Sequence, residues 1–518
     1  MSSRCRARAG RWLAGLSTAV ALLGAGCAWI PSEGQRAQFR TPPTLEHAMA
    51  EAGEQAPLAP SRRWPNDRWW RQFGSPELDR LMTIALRDNP GLKAAAARLR
   101  QAEALVRVEG ARLLPFLDAD AELSYERISA HGVFAALNPE VAGAHIVLGT
   151  INPLSFRYEF DFWGKNRAAL EAALGEAAAE DAELAEARLH LTTGIARAYF
   201  RGVALRQQLD LAKAMVELRR DLLRLAETRW QTGLDSADFV KQAKIALETA
   251  LKREAGTRDQ LELQRNLLAR LMGTGPDATR DLFQAPVTIP ARIPLPARLP
   301  VELLRHRPDL AAALHRAEAA AQRIKEAKAN FLPTIDLTAF VGINALRLTK
   351  GAGALANVLF SGSSVAYGVA PGLRLPWFEG GRLRGELSAQ RAEYDGAVEL
   401  YNETLLRAIQ EVADSLSSWQ ETRKILEAHN RLLDSQREDL ALAEVRLRTG
   451  LDDLRTVLAR RHAVLDQEYA LKILESDQLV AMTDLIESLG GGYSDGPTLS
   501  ESLRNTDSAG AARGPQQR

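Results

Sequence analysis

Cysteine is nearly absent from this sequence. Two occur in 518 residues, Cys5 and Cys27, too few for a disulfide framework or a thiolate metal site. Aromatic side chains make up only 6%, while alanine is plentiful, a balance that suits long, closely packed helices better than a β-rich enzyme. Excess charge of either sign is missing too. The 66 Lys and Arg residues face 65 Asp and Glu, so there is no electrostatic case for nucleic acid. The eight histidines are scattered; His131 and His145 flank one presumed loop and read as surface residues. No HExxH, GxSxG or P-loop pattern occurs. The expectation is a protein that is not an enzyme, with no catalytic residue, no metal and no bound cofactor.

Long apolar runs are confined to the N-terminus. Arg4, Arg6, Arg8 and Arg11 precede LAGLSTAVALLGAG, an apolar stretch of signal-peptide length that is too short to span a bilayer comfortably. It ends in LLGAGC, and small residues before a cysteine resemble the lipobox of bacterial lipoproteins. That resemblance implies removal of residues 1–26 and a diacylglycerol thioether plus an N-acyl chain on Cys27; the alternative is an ordinary signal peptide with an incidental cysteine. Ala28 after the cysteine favours, by the same resemblance, sorting to the outer membrane. Further on, residues 351–373 are uncharged, but Gly, Ser, Asn and Pro interrupt them, so they read as a loop leading into a strand. An envelope protein without a spanning helix is soluble, lipid-anchored or a β-barrel.

What is present is an internal repeat. LLPFLDADAEL (113–123) precedes FLPTIDLTAFV (331–341) by 218 positions, and AETRWQTGLD (226–235) precedes AEVRLRTGLD (443–452) by 217. Order and spacing are both kept, so a unit of about 215 residues is duplicated. The two repeats are expected at 67–284 and 301–492. The Pro-rich stretch 285–300 is expected to link them, 27–66 to be an anchored linker, and 493–518 to be a disordered tail, as 28–60 also looks disordered. Each repeat reads as a helix (about 35 residues from Pro76; a shorter one from near Pro300), a proline, two strands, a very long helix (165–231, 382–448) and a last helix (236–272, 452–489). At about 1.5 Å per residue a 67-residue helix is about 100 Å long. On the first of these, Leu209, Val216, Leu223 and Trp230 form one heptad seam and Leu211, Leu218 and Leu225 a nearly opposite one. On the second, Leu426, Leu433, Leu440 and Leu447 repeat the first seam; Ala428, Ser435 and Leu442 repeat the other only in part. Two opposed seams suit a stave in a wall of helices; a broad core stripe in a bundle is the alternative.

The strands alternate. In SFRYEFDFWG (155–164), Phe156, Tyr158, Phe160 and Phe162 share a face opposite Arg157, Glu159 and Asp161. Strands at 117–125, 335–343 and 367–377 do likewise, the last with Leu373, Leu375 and Trp377 on its apolar face. Runs of about 9–11 residues with apolar groups on one side match tilted outer-membrane strands, whose apolar side meets lipid. Four strands cannot close a barrel, two chains would make a plugged one of eight, and three chains make twelve with a bore.

WWRQFGSPELDRLMTIALRDNPGLKAAAARLRQAE (69–103), LPVELLRHRPDL (299–310) and the paired TGLD turns resemble the outer membrane factor family of TolC-like efflux ducts, in its lipoprotein, OprM/NodT-like branch. The resemblance spans about residues 60–492. It implies a mainly α fold in which a homotrimer builds a 12-stranded transmembrane β-barrel on a long periplasmic α-barrel, docked to an inner-membrane pump through a periplasmic adaptor. By the same resemblance Asp452 aligns with a gate aspartate at the periplasmic tip, with Asp453, Arg448 and Arg455 beside it. The turn residues Thr232, Gly233, Thr449 and Gly450 map to adaptor-docking grooves. Two plainer readings accompany these: Asp452 as the N-cap of the last helix and Asp235 as a cap in the first repeat. The function implied is an efflux duct for small molecules; a duct for type I protein secretion or metal efflux, and a lipid-anchored periplasmic scaffold, are the alternatives.

Overall fold

The computed structural model describes residues 30–43, 65–284, 287–290, 306–349 and 359–494. Cys27, most of the Pro-rich linker and the tail from 495 onward lie outside them. Among the described residues no helix is long and apolar enough to cross a membrane.

Among the described residues, seven helices of 13 residues or more and four strands follow the order α1 (Pro76–Asp88), α2 (Pro90–Ala111), β1 (Phe116–Arg127), β2 (His145–Phe160), α3 (Lys165–Gln231), α4 (Ala237–Met272), α5 (Pro308–Ala329), β3 (Thr334–Thr349), β4 (Val365–Arg374), α6 (Arg382–Arg448) and α7 (Leu454–Ser488). Both 67-residue helices run where the absence of proline places them. The expected 35-residue helix from Pro76 is two helices. Pro90 forces Asn89 out of the helical region, to ψ 122°, and the Asn89 side chain then caps α2 by accepting from the Leu92 amide at 3.0 Å. Helix α5 is described from Pro308, the counterpart of Pro90, and residues 300–305 lie outside the described part.

The chain divides into two compact units, and each draws on both repeats. One unit (Gln101–Ala177 and His315–Glu399, with the N-terminal residues up to Gln38) holds the sheet. The other (Phe39–Arg100, Ala178–Leu314, Leu400–Arg518) holds the largest apolar core, built around Phe73, Leu78, Met82, Ile195, Tyr199, Phe200, Leu268, Leu405, Met482 and Leu485. Inside that core the Tyr199 hydroxyl donates to Glu77 Oε2 at 2.8 Å and lies 2.9 Å from Ser75 Oγ, which also caps α1.

The sheet is antiparallel in the order β1-β2-β3-β4, so among the described residues β1 and β4 each keep an unpaired edge. Strands β1, β2 and β3 are longer than the sequence alternation suggests, while β4 stops at Arg374, short of the expected 377; in β2 the alternation is hidden by a bulge. Where β1 advances from Asp118 to Asp120, β2 advances from Asn152 to Ser155; β3 likewise spends two residues, Val341 to Ile343, against Ile151 to Leu154. The extra residue at Asn152-Pro153 flips the parity of β2. Ile151 therefore shares a face with Leu154, Phe156, Tyr158 and Phe160, and the pattern read from sequence breaks where the face itself continues. Asp120 secures the bulge, accepting from Asn152 Nδ2 at 2.9 Å and Ser155 Oγ at 2.8 Å. Gly342 makes room for it, since a Cβ there would collide with the Ile151 carbonyl and the Asn152 side chain.

Register puts Leu117, Phe156, Ala339 and Val369 in one row, and Phe160, Ile335 and Leu373 in another. This face is apolar from edge to edge and stands open: Leu123, Val369, Leu373 and Tyr367 are 71–80% exposed. Phe162, Leu375 and Trp377, read as strand residues, lie beyond the strand ends. Asp161 is also not a strand residue facing away from Phe160. It accepts from the Asn166 and Arg167 amides at 3.1 and 2.9 Å and so caps α3. Glu159 pairs with Lys165 at 2.5 Å, so the charges between those aromatics stitch strand to helix.

Gly342→Ala is expected to cost roughly 1–3 kcal/mol through overpacking at the bulge, read as a lowered unfolding midpoint in detergent; an unchanged midpoint would mean the bulge relaxes freely. A second expectation concerns His190, which hydrogen-bonds Glu186 at 3.4 Å and Glu487 at 2.7 Å. These two carboxylates raise its pKa from 6.5 to about 10. A raised pKa makes the contribution complete below about pH 6.5 and lost as pH climbs toward 10. The ring is 61% exposed, so solvent screening limits the effect to about 1 kcal/mol or less. Unfolding of wild type and His190→Ala should differ most near pH 6 and converge by pH 10.

Candidate functional site

The two TGLD turns fold alike, residue for residue, and both lie in the second compact unit. Helix α3 ends with Gly233 at φ +75°, and α6 with Gly450 at φ +75°. In the first turn the Leu234 amide donates to the Arg229 carbonyl at 2.8 Å and the Gly233 amide to Trp230 at 3.0 Å. In the second, Leu451 donates to Arg446 at 2.8 Å and Gly450 to Leu447 at 3.1 Å. This is the Schellman arrangement, which needs a left-handed residue, and glycine takes that conformation without a Cβ penalty. Space is not the reason for glycine, since a Cβ at either position would meet nothing within 4 Å. Thr232 and Thr449 turn their hydroxyls back onto the Thr228 and Val445 carbonyls at 3.0 and 3.2 Å.

An arginine six residues before each aspartate closes the turn. Arg229 donates through Nε to Asp235 at 2.7 Å, and Arg446 donates through Nε to Asp452 at 2.8 Å. Neither aspartate is a cap. The N-cap of α7 is Asp453, whose Oδ1 accepts from the Thr456 amide at 3.0 Å; the N-cap of α4 is Ser236, which makes no side-chain cap bond. The aspartates belong to the preceding helix because the guanidinium returning from the last turn reaches them first. The Thr456 amide holds the Asp453 carboxyl below its ordinary range, and the Arg229 guanidinium does the same for Asp235.

Arg455 joins the turns. Its Nε donates to Asp453 at 2.9 Å and its Nη1 reaches Asp235 at 3.4 Å. Asp453, Arg455 and Asp235 thus form one bonded chain, with Asp452 held separately on Arg446; Arg448 is exposed and joins none of these bonds. Beside them is a cavity of about 370 Å³ lined by Leu222, Leu225, Phe239, Ala243, Asp235 and Arg455 among others. Leu234 and Leu451, at the turn apices, are 66% and 71% exposed. Arg229 and Arg446 were not among the residues singled out from sequence, although the repeated Arg-x5-Asp spacing carries them.

Loss of the Asp453 cap should be visible locally. In Asp453→Ala, amide exchange over Leu454–Val457 is expected to quicken by about fivefold, corresponding to about 1 kcal/mol of lost capping. Asp453→Asn, which also caps, should exchange close to wild type.

Comparison with known proteins agrees with this architecture. The family model described as "Outer membrane efflux protein" matches residues 81–274 and 299–491, one stretch in each repeat. The multidrug resistance outer membrane protein MdtP of Shigella flexneri is 31% identical over 457 residues, covering 85% of this chain and 89% of its own. The pyoverdine export outer membrane protein OpmQ of Pseudomonas putida is 31% identical over 465 residues, covering 88% and 95%. Among solved structures, the outer membrane protein VceC of Vibrio cholerae superposes with a TM-score of 0.72 at 34% identity, over 83% of this chain and 100% of that one. Duplicated helices of the same length, an open apolar sheet and a match in both repeats lead to one conclusion: the chain belongs to the outer membrane efflux protein family.

Proposed function

We propose that three copies of the chain form a passive duct that carries small molecules, delivered by an inner-membrane pump through a periplasmic adaptor, across the outer membrane. The observation that carries this is the sheet. Four strands with both edges unpaired and one face apolar over most of its rows cannot stand in lipid singly, whereas three such sheets close into twelve strands around a bore. The lipid side is then Phe156, Tyr158, Phe160 and Leu373 with their row partners; Phe162, Leu375 and Trp377 lie at the sheet's foot, where aromatic residues meet the interface. The helices support the same assembly. On α6 Leu433 of the first seam is buried and Leu426, Leu440 and Leu447 are half-buried, while Leu442 of the second seam is 58% exposed, as a stave awaiting a neighbouring subunit would be.

The tip turns supply the closure and the docking surface in this reading. Asp452 is neutralised by Arg446 of its own chain, so a bare ring of aspartates is a poorer gate than the Asp453–Arg455–Asp235 chain linking the two turns. The adaptor meets Thr232, Gly233, Thr449 and Gly450 and the exposed Leu234 and Leu451 between them. Acylation of Cys27 anchors each chain. No step of this transport requires catalysis by the duct. MdtP is named for multidrug resistance and OpmQ for pyoverdine export, in keeping with a pump that selects and a duct that conducts.

Single-channel recording in planar bilayers tests the reading. Wild type should conduct in brief openings, and Arg455→Ala should raise the open fraction several-fold, with Asp452→Ala changing it less. Silence from all three proteins after verified outer-membrane insertion would overturn it.

A further inference from the structure

Register sorts the charges of the sheet by face. The carboxylates of the strands, four on β1 with Glu159 on β2 and Asp336 on β3, all fall in the rows opposed to the apolar face, as do Arg157 and Arg374. The apolar face carries three basic residues and no acidic one, and all three stand in its last two rows, at the end far from the helices. Arg127 pairs with His145, and Arg347 stands one row below by backbone register, opposite Val147. Tyr125 shares that lower row, and its ring stacks on the His145 ring at 4.9 Å and 16°. Tyr125 is 57% exposed. Arg127 is exposed too, and makes no ion pair or side-chain hydrogen bond among the described residues. Its neighbour Glu126 lies on the other face, where it accepts from the Ser124 hydroxyl at 3.3 Å.

The height of these rows decides what they meet. Fifteen residue steps lead from Phe160, in the lowest apolar row, to His145, and the bulge consumes one of them. At about 3.3 Å per step and a tilt of about 40°, the Arg127–His145 row stands roughly 35 Å above the foot of the sheet. The apolar band of an outer-membrane barrel is only about 25 Å tall. The row therefore lies about 10 Å beyond the hydrocarbon, at the depth of lipid headgroups and on the outward surface of the wall. An arginine there keeps its guanidinium among polar groups, and an exposed tyrosine just below is the ring an interface favours. Water or a neutral headgroup would tolerate either sign of charge at this level. The face admits cations alone, so its neighbour is an anion.

We propose that Tyr125, Arg127 and His145, with Arg347 beside them in register, form a site on the outside of the channel wall for the phosphorylated headgroup of a glycolipid in the outer leaflet. The Arg127 guanidinium offers a forked set of donors that matches phosphate oxygens. His145 adds a ring nitrogen, and the open side of the Tyr125 ring packs against a sugar. The lipid's phosphates supply the negative charge that this rim lacks. This rests on the reading above that the apolar face meets lipid. A headgroup held here fixes the upper edge of the wall in the bilayer, as the aromatic residues at the foot fix the lower one.

The test uses the full chain, reconstituted in phosphatidylcholine vesicles doped with bisphosphorylated lipid A and excised with its surrounding lipid in polymer discs. Lipid A per chain is counted by mass spectrometry, on protein that withstands alkaline carbonate. Wild type should hold lipid A above its bulk proportion. That enrichment should fall about tenfold in Arg127→Gln/Arg347→Gln, as two cations at headgroup level are lost, and several-fold in Tyr125→Ala. Arg157→Gln removes an arginine from the opposite face and should keep the wild-type value. Equal enrichment in wild type and the double variant, or equal enrichment of dephosphorylated lipid A, would overturn the site. Displacement of the lipid by inorganic phosphate would reveal a free-anion site and defeat the lipid assignment. A wild-type chain that carbonate strips from the vesicles would overturn the lipid-facing reading itself, whereas an integrated chain without enrichment overturns the site alone.

Discussion

A backbone amide in hydrocarbon must find its partner within the protein, because lipid offers none and each unpaired group costs several kcal/mol. Everything unusual in this outer-membrane efflux channel descends from that constraint. The chain contributes a sheet whose two edges are open and whose face is apolar, which is a liability in water and a requirement in a closed barrel. Duplication supplies the strands in pairs: β1 and β2 from one repeat, β3 and β4 from the other, joined through the β2–β3 ladder. Proline, barred from the middle of a regular ladder, is tolerated at the bulge (Pro153) and on the edge strand (Pro371).

The same duplication shapes the opposite ends of the long helices. Two Schellman turns with an arginine–aspartate closure repeat almost bond for bond, so this scaffold is common to both repeats. Two of the differing positions matter here: Asp453 against Ser236, and Arg455 against Asp238. Asp453 caps α7 and holds Arg455, and Arg455 reaches across to the first turn. Together these two divergences convert two similar turns into a linked pair. The pairs at the turns are part-buried or exposed, and ion pairs in solvent reach are individually worth little, in keeping with the gate proposed for them.

The positions of the long helices were legible from the absence of proline and the Thr-Gly stops, because helix continuity is a local property of the backbone. The break at Asn89-Pro90 was legible in principle for the same reason. The strands were only half legible. Alternation marks a face only while register is constant, and the Asn152-Pro153 bulge shifts it by one, hiding the N-terminal half of β2 from any period-two reading. The aspartates were misjudged because N-cap preference is a local rule, whereas a guanidinium one turn earlier, held at 2.7–2.8 Å, competes and wins.

By itself the sequence determined the duplication, the helix lengths, the stops at Gly233 and Gly450, and the one-sided apolar character of each strand. These are properties of periodicity and backbone conformation that neighbours in the chain decide among themselves. Only the tertiary structure decided which carboxylate each arginine takes, that Asp161 caps a helix instead of projecting from a strand, and that residues 31–37 are laid along α6. The first depends on which side chains the folded turn brings within reach; the other two depend on bonds to backbone carbonyls and amides, which every residue carries alike, so residue identity gives little sign of them until the helices are in place.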